Sequence, residues 1–79
     1  MKPLASHTVG IRLKQARDRR KLTMAALGEK AGVGASTINS IEKGKKVPRG
    51  DTIELLANAL EVEPAWLLFG SGPKPVWGD

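Results

Sequence analysis

The chain has no cysteine and no tyrosine, one histidine and one phenylalanine in 79 residues. Without cysteine there is no disulfide framework, no thiolate nucleophile and no Cys-ligated zinc. A single histidine, His7, cannot complete a metal site by itself. Carboxylates are not clustered, so no acid–base or nucleophile–base pair is in view, and neither an enzyme nor a cofactor is expected. No apolar run approaches the roughly 20 residues that cross a bilayer as a helix. Residues 1–6 lack the apolar core of a signal peptide, so the expected location is cytoplasmic, away from membranes. Alternating β-branched runs that would mark strands are also missing. What remains is 41% apolar and 27% charged residues, an ordinary mixture for a soluble folded domain. The length allows one small domain with one core, burying about 60% of the unfolded surface.

The charge is unevenly placed. Net charge is +5, but residues 1–50 hold 12 of the 13 Lys and Arg and 3 of the 8 acids, a balance of +9. Residues 51–79 hold Lys74 and 5 acids, a balance of −4. A basic half beside an acidic half suggests one face built for a polyanion; a solvated surface of uneven charge is the plainer alternative.

Helix signals run along most of the chain. The first helix is expected from about Thr8, a candidate N-cap, to Lys21, with Val9, Leu13, Ala16 and Arg20 on one stripe and Arg17 beside it. Thr23 can cap a second helix over 24–31, with Leu27 and Ala31 inward and Gly32 at its left-handed end. A third helix, 35–43, turns Ile38 and Ile41 inward and stops at Gly44. Two helices joined by Gly32, Val33 and Gly34 form a helix-turn-helix pattern. After the basic loop of residues 45–50, Asp51 with Glu54 reads as a capping box for a fourth helix, whose stripe is Ile53, Leu56, Ala57 and Leu60. Pro64 suits the first position of a short fifth helix, in which Trp66 and Phe69 are expected in the core. Residues 71–79 are rich in Gly and Pro and read as a flexible tail or the start of a linker. Residues 1–7 read as a flexible arm, with His7 exposed.

The ordered set Val9-Gly10-Ile11-Arg12-Leu13-Lys14 through Arg17, Leu22-Thr23, Ala31-Gly32-Val33, Ile38-Asn39-Ser40-Ile41-Glu42-Lys43-Gly44, Pro48, Leu56-Ala57-Asn58-Ala59-Leu60-Glu61-Val62 and Trp66-Leu67-Leu68-Phe69-Gly70 resembles the phage repressor/Cro family of helix-turn-helix proteins. This is also called the xenobiotic-response-element type. The resemblance covers residues 8–70. It implies an all-α, five-helix lambda-repressor-like domain that binds double-stranded operator DNA as a homodimer, in a phage or prophage setting. Four positions depart from the family pattern: Met24 stands where Gln is common, Ala26 where Glu completes a capping box, Gly28 where Ala is usual, and Gly34 where a polar cap precedes the recognition helix.

By position in the family, Ala35, Ser36, Asn39 and Ser40 are the base-contacting residues. Asn pairs bidentately with adenine, Ser donates or accepts, and Ala packs on a thymine methyl. Such short arms leave part of the discrimination to DNA shape. Phosphate contacts are expected at Met24, through its backbone N–H, at Thr37, and at Lys43, Lys45, Lys46 and Arg49. For the run Arg19, Arg20 and Lys21, complementing the helix dipole and contacting DNA weigh equally. Resemblance also pairs Arg17 with Glu42 as a structural ion pair that holds the third helix. The dimer contact is implied around Val47, Pro48 and residues 62–66. A patch this small is compatible with a monomer that pairs only on DNA.

A second role for the same fold is the antitoxin of a toxin–antitoxin pair, which binds a toxin protein and autoregulates its operon. Trp77, a large aromatic in a Gly/Pro tail, fits neither reading directly.

Overall fold

Val9, Leu13 and Ala16 come together on one face of the first helix and are completely buried, and the rest of the fold is arranged around that stripe. The computed structural model describes residues 5–72 and residue 75. Its five helices are α1 (Ala5–Arg19), α2 (Met24–Ala31), α3 (Ala35–Glu42), α4 (Gly50–Leu60) and α5 (Pro64–Phe69), and the described residues include no strand. α1 packs against α3 and α5, α2 against α3 and α4, and α4 against α5. The core they enclose is made of Val9, Leu13 and Ala16 from α1, Leu27 and Ala31 from α2, Ile38 and Ile41 from α3, Ile53, Leu56, Ala57 and Leu60 from α4, and Trp66 and Leu67 from α5. The 3.6-residue spacing read from the sequence therefore delivers one apolar stripe per helix to a shared interior.

Local signals account for most boundaries. The Thr23 hydroxyl accepts a hydrogen bond from the Ala26 N–H at 3.0 Å, capping α2. Gly32 closes that helix at φ 75°, a left-handed conformation in which a Cβ is strained. The amides of Gly32 and Val33 both donate to the Gly28 carbonyl, at 2.8 and 3.0 Å, and turn the chain toward α3.

Three expectations change. α1 opens at Ala5 rather than at Thr8, so residues 5–7 belong to the helix and not to an arm, and Thr8 is not its cap. Ala5 is a strong helix former and nothing in residues 5–8 breaks a helix. Residues 1–4 of the expected arm lie outside the described residues, as do Trp77 and most of the expected tail. α4 opens at Gly50 with Arg49 in the cap position and no side-chain cap bond. Asp51 sits inside the first turn, where its carboxylate accepts from the Thr52 N–H at 2.9 Å and complements the helix dipole; the Asp51–Glu54 capping box does not form. Phe69 is 67% exposed whereas Trp66 is buried. At 100° per residue Phe69 lies across the helix from Leu67, which takes the core position.

Candidate nucleic-acid interface

The helix-turn-helix consists of α2, the turn of residues 32–34 and α3. Ile38 and Ile41 are completely buried, which rolls the opposite side of α3 toward solvent. Ala35 and Ser36 are exposed there, and Thr37, Asn39 and Ser40 are half-buried. The four positions assigned to base contact thus share the outward side of one helix, with Ala35 and Ser36 in its first turn and Asn39 and Ser40 in its second. Gly34 caps α3 without a side-chain hydrogen bond, leaving the first-turn amides without a side-chain acceptor from the cap.

Lys43, Lys45, Lys46 and Arg49 are all exposed on the loop that follows. Among the described residues no carboxylate pairs with Lys43, Lys45 or Lys46, and Arg49 approaches only Asp51, at 3.8 Å. Two acids elsewhere are engaged: Asp18 with Lys14 at 3.1 Å and Glu42 with Arg17 at 2.7 Å. The loop therefore carries its positive charge uncompensated beside the outward face of α3. Met24 differs from a phosphate ligand of the usual kind. Its side chain packs on the core, so only its backbone N–H, at the N-terminus of α2, is available to a phosphate.

A cleft of about 280 Å³ lies between the turn, α3 and α4. Val33, Pro48 and Leu55 form its apolar part, and Thr37, Lys46 and Arg49 its polar part. Val33 was marked in the sequence only as part of the turn, and Leu55 was not marked at all, because a Leu beside a helix stripe looks like an ordinary core residue.

The recognition helix is held from behind. Arg17 of α1 donates from Nε and Nη2 to the two carboxylate oxygens of Glu42, at 2.7 and 2.9 Å. Their side chains are only 11% and 4% exposed. The hydrogen bond to Glu42 raises the Arg17 pKa above its ordinary value, against the opposing effect of burial. Arg17 Nη1 also donates to the Leu22 carbonyl at 2.9 Å, tying α1, the segment before α2 and the end of α3 together.

Two other arginines have structural partners that the sequence did not disclose. Arg12 donates to the carbonyls of Leu67 and Leu68 at 3.0 and 2.8 Å, satisfying the end of α5; its burial lowers its pKa. Arg20 donates to the Leu60 carbonyl at 3.0 Å and approaches Glu61 at 3.6 Å. For Arg20 the structure supplies a helix-end role, on the neighbouring α4 rather than on α1. Of the residues implied at a dimer contact, Pro48, Val62 and Trp66 are buried within the chain itself, while Val47, Glu63, Pro64 and Ala65 are exposed.

Comparison with known proteins agrees with this geometry. Residues 13–67 match the family HTH_3, described as helix-turn-helix. The chain is 41% identical over 64 residues to the HTH-type transcriptional repressor RghR of Bacillus subtilis, covering 80% of this chain and 47% of RghR. It is 41% identical over 56 residues to the immunity repressor protein of Bacillus phage phi105, covering 71% of this chain and 39% of that protein. The chain thus spans less than half the length of either relative. In structure it matches the P22 c2 repressor protein solved in complex with a synthetic operator, with a TM-score of 0.77 and 32% identity over 82% of this chain and 98% of the other. The chain belongs to the helix-turn-helix family of the Cro/C1 type, with phage repressors among its relatives.

Proposed function

We propose that this chain is a sequence-specific DNA-binding transcriptional repressor, acting in the cytoplasm as a binding module without catalytic chemistry. The observation that carries the reading is the outward face of α3, with Ala35, Ser36, Asn39 and Ser40 beside the unpaired cations Lys43, Lys45 and Lys46. In a helix-turn-helix the second helix enters the major groove with its N-terminal residues toward the base edges. Here those residues are short and polar or methyl-bearing, suited to adenine and thymine edges. Lys43, Lys45, Lys46 and Arg49 lie along the phosphates, joined by Thr37 and the Met24 N–H. Support comes from the P22 c2 repressor, which was solved on operator DNA and is covered over nearly its whole chain. The repressor relatives favour this role over that of an antitoxin.

The protein acts as a homodimer on inverted half-sites. One α3 reads only a few base pairs, and a second copy one helical turn away roughly doubles the specific contacts. Val47 and the exposed residues 63–65 form the contact between copies. Selection from random duplex DNA followed by footprinting tests the function. The expected result is a single enriched motif with two-fold symmetry; enrichment of no motif would overturn the reading.

A further inference from the structure

A left-handed backbone suits glycine, and α2 and α5 close on one, Gly32 and Gly70, each at φ 75°. Among the described residues two others adopt that conformation, Lys21 at φ 58° and Glu61 at φ 57°, where a side chain strains the backbone. Glu61 has a partner inside the chain, since its carboxylate stands 3.6 Å from Arg20. Lys21 has none: it is exposed, and nothing among the described residues pairs with its ammonium. Asp18 is taken by Lys14 and Glu42 by Arg17. Arg17 also sets where Lys21 lies. Its one guanidinium donates to the Leu22 carbonyl at 2.9 Å and to the Glu42 carboxylate at 2.7 and 2.9 Å, so the exit of α1 lies beside the exit of α3. Lys21 before Leu22 and Lys43 after Glu42 are therefore two exposed, unpaired cations that flank one buried bridge. The same segment leads through Thr23 to the start of α2. There the Met24 side chain packs on the core and leaves a phosphate only the backbone N–H, which carries no full charge.

We propose that Lys21 is a phosphate-binding residue. With Lys43 and the Met24 N–H it holds one strand of the duplex where α1, α2 and α3 meet, a grip separate from that of Lys45, Lys46 and Arg49 on the following loop. The proposal rests on the DNA-binding reading above and adds a residue to it. The Arg17 bridge gives both lysines a fixed base, and their flexible stems carry three donors each to phosphate oxygens. Neither lysine has a carboxylate to give up, so the contact forms without breaking an ion pair. Arg20, next to Lys21 in sequence, is turned away to the Leu60 carbonyl. Glycine would suit the Lys21 backbone better but would bring no charge, so the strain is kept where the charge is used outside the chain. Such a contact fixes the protein on the duplex and reads no base.

The test uses Lys21→Met, Lys21→Gly and Lys21→Arg in the whole chain, with Lys30→Met as a charge control at the far end of α2. Met keeps a long stem and the strain but loses the charge; Gly loses the charge and relieves the strain; Arg keeps the charge. Affinity for selected and random duplex is measured by fluorescence anisotropy across a salt series. Lys21→Met and Lys21→Gly are expected to weaken both duplexes alike, by about tenfold at about 50 mM salt, and to lower the salt slope by about one for each chain bound. Lys21→Arg should stay within about twofold, because charge governs the contact. In melts Lys21→Gly should be no less stable than the unmodified protein. Ethylation of individual phosphates locates the contact. The phosphate whose ethylation ceases to matter in Lys21→Met should adjoin the one that ceases to matter in Lys43→Met, not the one lost in Lys46→Met. Losses no greater than that of Lys30→Met, a loss on selected duplex alone, or an unchanged ethylation pattern overturns the proposal. So does a lower melting temperature for Lys21→Gly, which would give the lysine a role in the fold. If the unmodified protein binds no duplex, the DNA-binding reading itself fails; if it binds and the Lys21 variants bind equally well, only this assignment fails.

Discussion

The Arg17 guanidinium closes on both carboxylate oxygens of Glu42 while its third nitrogen holds the Leu22 carbonyl. The pair links the first helix to the last residue of the recognition helix, across 25 positions of sequence. Both side chains are nearly out of water, so each needs the other. Removing one partner of such a pair leaves an uncompensated charge, which destabilises by about 3–5 kcal/mol. Against a total of about 5–15 kcal/mol for a natural domain, that is a large share. Arg17→Ala and Glu42→Ala are each expected to lower the melting temperature markedly, and the double variant by less than their sum. Thermal melts of the three variants decide it; small, additive losses would show that the pair is not coupled.

Binding should be strongly salt-dependent. The +9 balance of residues 1–50 and the unpaired loop lysines point to phosphate neutralisation. If a dimer engages about 6–10 phosphates, affinity falls by about 10³–10⁵ between 50 and 200 mM salt. A titration series by fluorescence anisotropy measures the slope, and a flat response would exclude a phosphate-dominated grip.

Lys46 and Asn39 should fail in different ways. Lys46→Ala removes a charge from the loop and is expected to weaken selected and random duplexes alike, lowering the salt slope by about one. Asn39→Ala removes a base-reading amide and is expected to weaken the selected site by about 1–3 kcal/mol, with little change on random DNA. Parallel losses from both variants on both DNAs would place the reading head elsewhere than α3.

Half-site geometry tests the dimer. Inserting five base pairs between the half-sites turns them to opposite faces of the duplex, since successive faces recur about every 10–10.5 base pairs. Cooperative binding should then be lost. Undiminished affinity for the spaced site would mean that the protein reads DNA as a monomer.

Capping of α2 offers a local check on the scaffold. Thr23→Ala removes the acceptor held at 3.0 Å by the Ala26 amide and is expected to destabilise by about 1 kcal/mol, measured by urea denaturation. A loss indistinguishable from zero would show that solvent replaces the cap.

The helices, their apolar stripes and the helix-turn-helix were legible in the sequence because each depends on neighbours within a few residues. Leu27 with Ala31, Ile38 with Ile41, Thr23 before α2 and Gly32 after it are short-range signals. The outward positions of α3 followed once its two isoleucines were turned inward. The start of α4 was misread because Asp51 has the chemistry of a cap, and only the backbone decides whether a residue stands before the first turn or within it. Phe69 was misread because, in a helix of six residues, several aromatic and aliphatic side chains compete for one short core face.

By itself, then, the sequence determined the fold class, the basic half, and the helix that carries the candidate reading residues, since periodicity, caps and charge are written locally. Only the tertiary structure decided which arginines serve the scaffold. Arg12 reaches α5 across 55 positions and Arg20 reaches α4 across 40, and nothing in their own surroundings distinguishes them from the cations left facing solvent. It also decided that Lys21 and Lys43 flank one bridge, because a single guanidinium holds the carbonyl beside the first and the carboxylate beside the second. A cation's neighbours are set by which distant segments pack together, and the residues next to it in sequence carry no record of that.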